Sequence, residues 1–275
     1  LVLARTPGAP EGTRGISLFI VPKFHLDADG TAGAPNDVTC VSIEHKIGIH
    51  ASPTCVMAYG EQGDCIGEMI GGEFGGMKAM FTMMNNARIN VGSQGVQIAE
   101  RATQQASRFA MERVQSARAG SGDKAPVPII EHPDVRRMLL RSKALTQAAR
   151  ALLYYASSSV DRATLGIEGA KARAEILTPL IKGYGTDIGN EVASIGIQVH
   201  GGMGFIEETG AGQHFRDARI APIYEGTNGI QAADLVGRKL GLDGGDAMQQ
   251  FIAEIGAEAP DDSSLMALAL SLIHI

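Results

Sequence analysis

Apolar positions change their spacing once along the chain. From Leu1 to about Gly71 they come in short runs such as Ile16-Ser17-Leu18-Phe19-Ile20-Val21, closed by Pro22 and followed by Gly and Asp clusters. Runs of this length bounded by turn residues predict β strands. From about Phe74 onward the segments lengthen and the apolar period moves from two toward three and four, which predicts helices. Val135, Met138, Ser142, Leu145, Ala149, Leu152 and Ala156 recur at alternating steps of three and four after His132-Pro133, as on a helix that faces a partner in a bundle. Thr178-Pro179 places a hydroxyl at an N-cap and a proline at the first helical position, and Leu180, Tyr184, Ile188, Val192, Ile195 and Val199 continue from it to His200. Gly201-Gly202 then stops that helix. Two more helices are predicted from about Phe81 to Val114 and from about Thr227 to Leu240, with a Gly, Ser and Pro-rich loop over Ala119 to Pro128. The expected architecture is α+β: β structure over 1–71, an antiparallel helical bundle over 72–245, and a partial extension or artefact tail over 246–275. In the bundle, Val135, Leu145, Leu152, Ile188, Val192 and Ile195 are expected to lie buried between helices.

Composition narrows the function classes. With 275 residues, 44% of them hydrophobic, the chain can bury a sizeable core. A formal net charge of -6 argues against a surface for phosphate backbones, so nucleic acid is not an expected partner. Cys40, Cys55 and Cys65 are odd in number and lack a C-x-x-C spacing, which fits neither a disulfide framework nor a zinc site and points to a reducing, cytoplasmic setting. No run of about 18 apolar residues predicts membrane insertion. The Leu1-Val2-Leu3 opening without an initiator Met reads as a fragment, and the apolar run Leu265 to Ile275 as a truncation or artefact.

A bundle alone does not select a chemistry, so the local motifs must. Ile223-Tyr224-Glu225-Gly226-Thr227-Asn228 sets one carboxylate between an aromatic ring and a glycine, just ahead of an apolar helix. Alone, Glu225 reads as a first-turn acid favoured by the helix dipole. It is, however, preceded in order by Gln198-Val199-His200-Gly201-Gly202-Met203-Gly204-Phe205 and by Phe215-Arg216-Asp217-Ala218-Arg219-Ile220. Three motifs in fixed order are much harder to obtain by chance than one.

Together these motifs resemble the acyl-CoA dehydrogenase family, whose members carry a glutamine and paired glycines at a helix end, then Arg-Asp-Ala-Lys/Arg-Ile, then Ile-Tyr-Glu-Gly-Thr. Lys46-Ile47-Gly48, with Ser52 and Thr54, resembles an element of the family's middle β domain. The Met84-Asn85-Asn86-Ala87-Arg88 form and Leu177-Thr178-Pro179-Leu180-Ile181-Lys182 look most like the bacterial branch that includes methylmercaptopropionyl-CoA dehydrogenase. The resemblance implies the end of a β-barrel-like middle domain followed by the C-terminal bundle, FAD as cofactor, and α,β-dehydrogenation of an acyl-CoA thioester to the 2-enoyl-CoA. Glu225 would take the α-proton while hydride leaves Cβ for the flavin.

By the same residue-by-residue transfer, Thr227 and Asn228 would touch the flavin. Arg113 and the turn from Gln198 through Gly201 and Gly202 would reach the flavin of a neighbouring subunit, in a homodimer or homotetramer. Asn85, Arg88, Tyr224 and Gly226 would contact substrate, and an electron-transfer flavoprotein would accept the electrons. After Arg113 the chain departs from the family, with Val114-Gln115-Ser116-Ala117 in place of Lys-Thr-Phe-Gly, so two expected flavin contacts are replaced. The plain alternatives are a helix C-cap for Gly201-Gly202 and a solvated helix-start arginine for Arg88.

Other chemistries fail on spacing. The histidines form no H-x-x-x-H pair and no cluster with cysteine, so no metal site is expected. Gly92-Ser93-Gln94-Gly95 is not a nucleophile elbow, and neither G-x-G-x-x-G nor a P-loop occurs. Met77, Met80, Met83 and Met84 read as core or dimer packing. The family's N-terminal helical domain and first β-domain strands would precede Leu1. A non-catalytic helical oligomerisation module and an acyl-CoA oxidase are the alternative readings.

Overall fold

The computed structural model describes residues 1–258 and resolves two compact units, Leu1–Asn86 and Ala87 onward. The first unit is built from short antiparallel ladders. Strands β1 (Val2–Arg5), β2 (Ile16–Ile20) and β7 (Glu68–Ile70) form one sheet in the order β1-β2-β7, with Leu18 opposite Leu3 and Ile70. Strands β3 (Phe24–Leu26) and β4 (Ala32–Pro35) form a second ladder, and β5 (Val38–Ile43) pairs with β6 (Cys55–Tyr59) in a third that is irregular between Cys40 and Ser42. Ser17 is fully buried, and its hydroxyl accepts the Phe74 N–H at 2.9 Å. The β reading of this region holds, but among the described residues the ladders do not close into a barrel. Strands of three to six residues leave each ladder short, and the three share no strand.

The second unit is a helical bundle. Helix α1 (Gly76–Glu112) begins five residues earlier than its apolar period suggests and crosses the boundary between the units. Helices α2 (Pro133–Thr164) and α3 (Ala170–His200) follow, then the short α4 (Ala211–Ala218) and α5 (Asn228–Asp234). Pro133 opens α2 at its first turn, where a missing N–H costs nothing. The core joins Val96, Ala99 and Ala102 of α1 to Ala149, Leu153 and Ala156 of α2 and to Leu177, Ile181, Ile188 and Val192 of α3. Leu145 and Leu152 pack against this cluster, while Val135 and Ile195 pack against a second one around Met138 and Val199. The expected core positions are therefore buried or half-buried; Tyr184, placed on the apolar stripe, is exposed.

Several boundaries differ from the periodicity. Thr178-Pro179 does not start a helix: α3 begins at Ala170, after Gly169 at φ +71°, and Pro179 lies inside it. An interior proline costs about 3 kcal/mol. Here Ile176, Leu177 and Ile181 are fully buried, so packing around the proline outweighs the lost hydrogen bond, and the Thr178 hydroxyl turns back to donate to the Ala174 carbonyl at 2.7 Å. The loop expected over 119–128 and the end of the first helix contain a small hairpin, β8 (Val114–Ala117) with β9 (Pro126–Pro128). Two prolines on so short a ladder mask its strand signal, because proline marks edge strands and turns alike. The helix expected to reach Leu240 is α-helical only to Asp234 and then becomes a π turn over Leu235–Lys239, with the Leu240 N–H on the Leu235 carbonyl at 3.0 Å. Residues 246–258, set apart in the sequence as extension or tail, form α6 (Asp246–Glu258), whose Met248 and Ile252 pack on Ile176 of α3. The run from Leu265 to Ile275 lies outside the described residues.

Helices α1 and α3 touch backbone to backbone. A Cβ added to Gly95 would stand 2.2 Å from the Gly185 carbonyl oxygen, and one on Gly185 or Gly189 would stand 2.9 Å from backbone of Gly92 or Gly95. No side chain can give way at these points. Gly95→Ala is therefore expected to lower the thermal unfolding transition by an amount equivalent to roughly 1–3 kcal/mol, the usual cost of overpacking. Gly183→Ala, where an added Cβ meets nothing within 4 Å, should be neutral or stabilising because alanine is the better helix former. Equal shifts for the two variants would refute the close-contact account.

Candidate functional site

The chain leaves α4 through a series of turns and reaches Tyr224-Glu225-Gly226-Thr227 just before α5. The local sequence explains the sharp turn. Glu225 has φ +54° and Gly226 φ +83°, two successive left-handed residues, of which only glycine adopts the conformation freely. Thr227 ends the turn as N-cap of α5, its hydroxyl oxygen accepting the Ile230 N–H at 3.2 Å. The neighbours of the turn are polar and inward. Gln231 is 2% exposed, and its amide donates to the Gly226 carbonyl at 3.0 Å. The Tyr224 hydroxyl donates to the Gln94 side chain of α1, and burial pushes the phenol up from its usual range, with the Glu225 charge acting the same way.

Two buried cations approach this turn from the long helices. Arg88 of α1 is 6% exposed and pairs with Asp234 of α5 at 3.0 Å, both side chains being almost fully buried. It is not a solvated helix-start residue. Its Nη2 atom stands 3.6 Å from where a Cβ on Gly226 would lie. Removing one member of a buried pair leaves the other charge uncompensated, at a typical cost of about 3–5 kcal/mol. Lys182 of α3 has no exposure at all, and its Nζ donates to Asn228 Oδ1 at 2.9 Å. Burial drives this ammonium down to about 8; Asp187 and Glu225 oppose the shift and Arg88 adds to it.

The remaining predicted residues are placed as follows. The Asn228 side chain is spent on α3: besides Lys182, it donates to Asp187 Oδ1 at 2.8 Å and to Thr186 Oγ1 at 3.1 Å. An amide engaged on both ends has little left for a cofactor. Thr227 is exposed, and its hydroxyl hydrogen is not used in the cap. Gln198, Gly201 and Gly202 lie together, exposed, at the end of α3, but only Gly201 has a positive φ, +58° with ψ -139°. Gly202 sits in ordinary helical-turn backbone with open space at its Cβ position, so the pair does not share one conformational reason. Beneath this turn His200 stacks on Phe109 at 4.4 Å between ring centroids and holds the Gly196 carbonyl at 2.7 Å. Arg113 is exposed just past the end of α1, with Gln115 Oε1 at 3.4 Å. Asn85 is exposed in the α1 segment that belongs to the first unit, whereas Arg88 belongs to the second.

The site thus gathers Tyr224, Glu225, Gly226 and Arg88 around one turn, with Lys182, Asp187, Gln231, Asp234 and Gln94 as polar supports that the motif reading did not single out. Their only signal in the sequence is a charged or amide residue on an otherwise apolar helix face, as Lys182 is between Ile181 and Gly183. Among the described residues, no cluster of His, Cys, Asp and Glu could hold a metal ion, and no helix is long and apolar enough to cross a membrane.

Comparison with known proteins identifies the family. Residues 75–240 match the family described as acyl-CoA dehydrogenase, C-terminal domain. The chain is 53% identical over 261 residues to the 3-methylmercaptopropionyl-CoA dehydrogenase of Ruegeria pomeroyi, covering 94% of the chain and 44% of that relative, so it spans less than half the relative's length. Among solved structures, Bd2924 in its apo form superposes with a TM-score of 0.82 at 26% identity over 99% of this chain and 50% of the other. An acyl-CoA dehydrogenase from Bacillus anthracis, solved in complex with FAD, shares the fold at a TM-score of 0.73 and 24% identity, over 94% of this chain and 42% of that one. With the matched segment covering most of the helical unit and including the turn at Glu225, the chain belongs to the acyl-CoA dehydrogenase family.

Proposed function

We propose that this chain carries the catalytic base of an FAD-dependent enzyme that dehydrogenates an acyl-CoA thioester to the 2-enoyl-CoA, with Glu225 removing the α-proton. The observation that carries the reading is the turn itself: a half-buried carboxylate on a left-handed residue, next to Gly226, whose carbonyl accepts from the buried Gln231 amide, and lying within the segment that matches the family. Strained backbone that its surroundings over-determine is a mark of functional sites.

The residues present fit a flavin in part. Thr227 offers a free hydroxyl hydrogen, Arg113 an exposed guanidinium, and the Gln198 to Gly202 turn an open backbone surface where side chains do not intervene. Asn228 fits less well, since its side chain is taken by α3. When bound, FAD supplies the acceptor for the hydride that leaves Cβ. The chain's own part is the proton and the charge that follows it. Glu225 accepts the α-proton. As the proton leaves, charge builds on the thioester oxygen. The Glu225 N–H, which donates to no backbone acceptor among the described residues, would donate to that oxygen. Tyr224 and Gly226 line the same turn, and Asn85 and Arg88 remain assigned to the substrate side.

The shared-subunit site, a homodimer or homotetramer, and an electron-transfer flavoprotein as acceptor are part of the same proposal, as is a β-barrel-like middle domain completed in a longer polypeptide. The resemblance motivates them. In the complete polypeptide that carries this chain, Glu225→Gln should retain flavin and lose dehydrogenation by on the order of 10²–10⁴-fold, since the amide is nearly isosteric and cannot take the proton. A variant that keeps more than about a tenth of the rate would remove Glu225 as the base.

The glycine turn gives a separate test. Gly201→Val should destabilise the end of α3 whatever the cofactor does, because φ +58° with ψ -139° suits glycine alone. A Cβ added at Gly202 meets no atom within 4 Å and the residue has no positive φ, so Gly202→Val should leave folding intact. If that surface serves a neighbour's flavin, Gly202→Val lowers flavin content and subunit association together, as linkage requires. A fully flavinated oligomer on sedimentation would reject the shared site.

A further inference from the structure

The backbone of Glu225 needs an external reason to stay where it is. A residue with a Cβ at φ +54°, followed by Gly226 at φ +83°, is held by what surrounds it and not by its own preference. On one side Gln231 fastens the Gly226 carbonyl and Thr227 caps α5. On the other side the Asn228 side chain, at the first residue of α5, bonds to α3. Its orientation is unambiguous. Lys182 can only donate, so it must face Oδ1 at 2.9 Å, and the Asp187 carboxylate can only accept, so it must face Nδ2 at 2.8 Å. Thr186 closes the ring, with its hydroxyl on the Lys182 carbonyl at 2.7 Å.

Lys182 is an expensive choice for this position. Its whole residue has no exposure, among neighbours that include fully buried Ile181 and Thr186, and a methionine would fill the space without dehydrating a charge. The charges that face it come from every element around it: Asp187 of its own helix, Arg88 of α1, which is itself paired with Asp234 of α5, and Glu225 of the turn. We propose that Lys182 is a positioning residue for the base, fixing the Tyr224–Thr227 turn through Asn228 and keeping a buried positive charge opposite the Glu225 carboxylate. The inference rests on the assignment of Glu225 as base, made above, but its geometric half does not.

The ammonium lies at about 8, held down mainly by burial and held up by Asp187 and Glu225. Raising the pH through that value discharges Lys182, removes the counter-charge and weakens the grip on Asn228. Dehydrogenation by the wild-type enzyme should therefore decline on the basic side near pH 8, and this limb should belong to Lys182.

The test uses the complete flavin-loaded polypeptide with a short acyl-CoA as substrate. Lys182→Met, which removes both charge and hydrogen bond, should keep its flavin, lose about tenfold or more in kcat with KM changed by less than about threefold, and lose the basic limb. Lys182→Gln, which keeps a donor for Asn228 without the charge, should recover part of kcat and still lack the limb. Crystal structures of the two variants supply a readout free of activity: with Met, Asn228 releases α3 and Glu225 leaves its positive φ; with Gln, both stay. Wild-type kcat and an unchanged pH profile in either folded variant, or an unmoved Glu225 turn in Lys182→Met, would overturn the proposal. If Lys182→Met does not fold, Lys182→Gln with a retained basic limb overturns it alone. Should the wild-type polypeptide fail to dehydrogenate any acyl-CoA, the assigned reaction falls, while the crystallographic comparison still decides whether Lys182 holds the turn.

Discussion

Most of the site follows from how closely α1 and α3 approach. Gly92, Gly95, Gly185 and Gly189 bring the two backbones into direct contact, with carbonyl oxygens where side chains would otherwise stand. Helices separated by ordinary side chains lie 8–10 Å apart between axes; without side chains at the crossing they can come nearer. That proximity lets Arg88, one turn before Gly92, and Lys182, one turn before Gly185–Thr186, serve a single short helix. Arg88 reaches Asp234 and Lys182 reaches Asn228, at opposite ends of α5. The short helix that follows the Glu225 turn is thus tied at both ends, by a buried ion pair to α1 and by a charge-assisted hydrogen bond to α3.

What could be read from the sequence follows the physics of each signal. The stripe Val135 to Ala156 was legible because a helix that buries one face must repeat its apolar residues at three and four, and those residues do face the core. Pro179 misled for an equally physical reason. Local rules place proline at helix starts, and only the burial of Ile176, Leu177 and Ile181, which is tertiary, explains why the helix runs through it. The hairpin at Val114 and Pro126 was hidden because prolines, glycines and serines look the same in a loop and in a short edge ladder. In the candidate site, the motif residues were legible as a series, whereas Lys182, Asp234 and Gln231 were not. A lysine or glutamine within a helix is normally a solvated residue, and nothing local distinguishes one whose neighbours in space are another helix and a turn.

The same contrast separates the two glycines after His200. Both look alike in sequence, yet only Gly201 has a backbone conformation that calls for glycine, while Gly202 has ordinary backbone and open space at its Cβ position. Asn228 illustrates the reverse case: a residue that a motif assigns to the cofactor has its polar atoms turned inward, so its contribution passes through the shape of the turn.

The π turn at Leu235–Lys239 has a consequence of another kind. It holds one more residue than an α-helical turn; at its end Lys239 pairs with Glu175 of α3 at 3.1 Å, and just before it Asp234 pairs with Arg88 of α1. In a regular helix, residues five apart point about 140° away from each other, and the wider turn brings them closer to one side. Losing a single codon here would leave a perfectly good helix and swing everything after it by about 100°, taking Lys239 off Glu175 and turning the face that α6 follows. Among relatives, differences in chain length at these five positions, more than differences in residue type, should mark where the end of the bundle has been rebuilt.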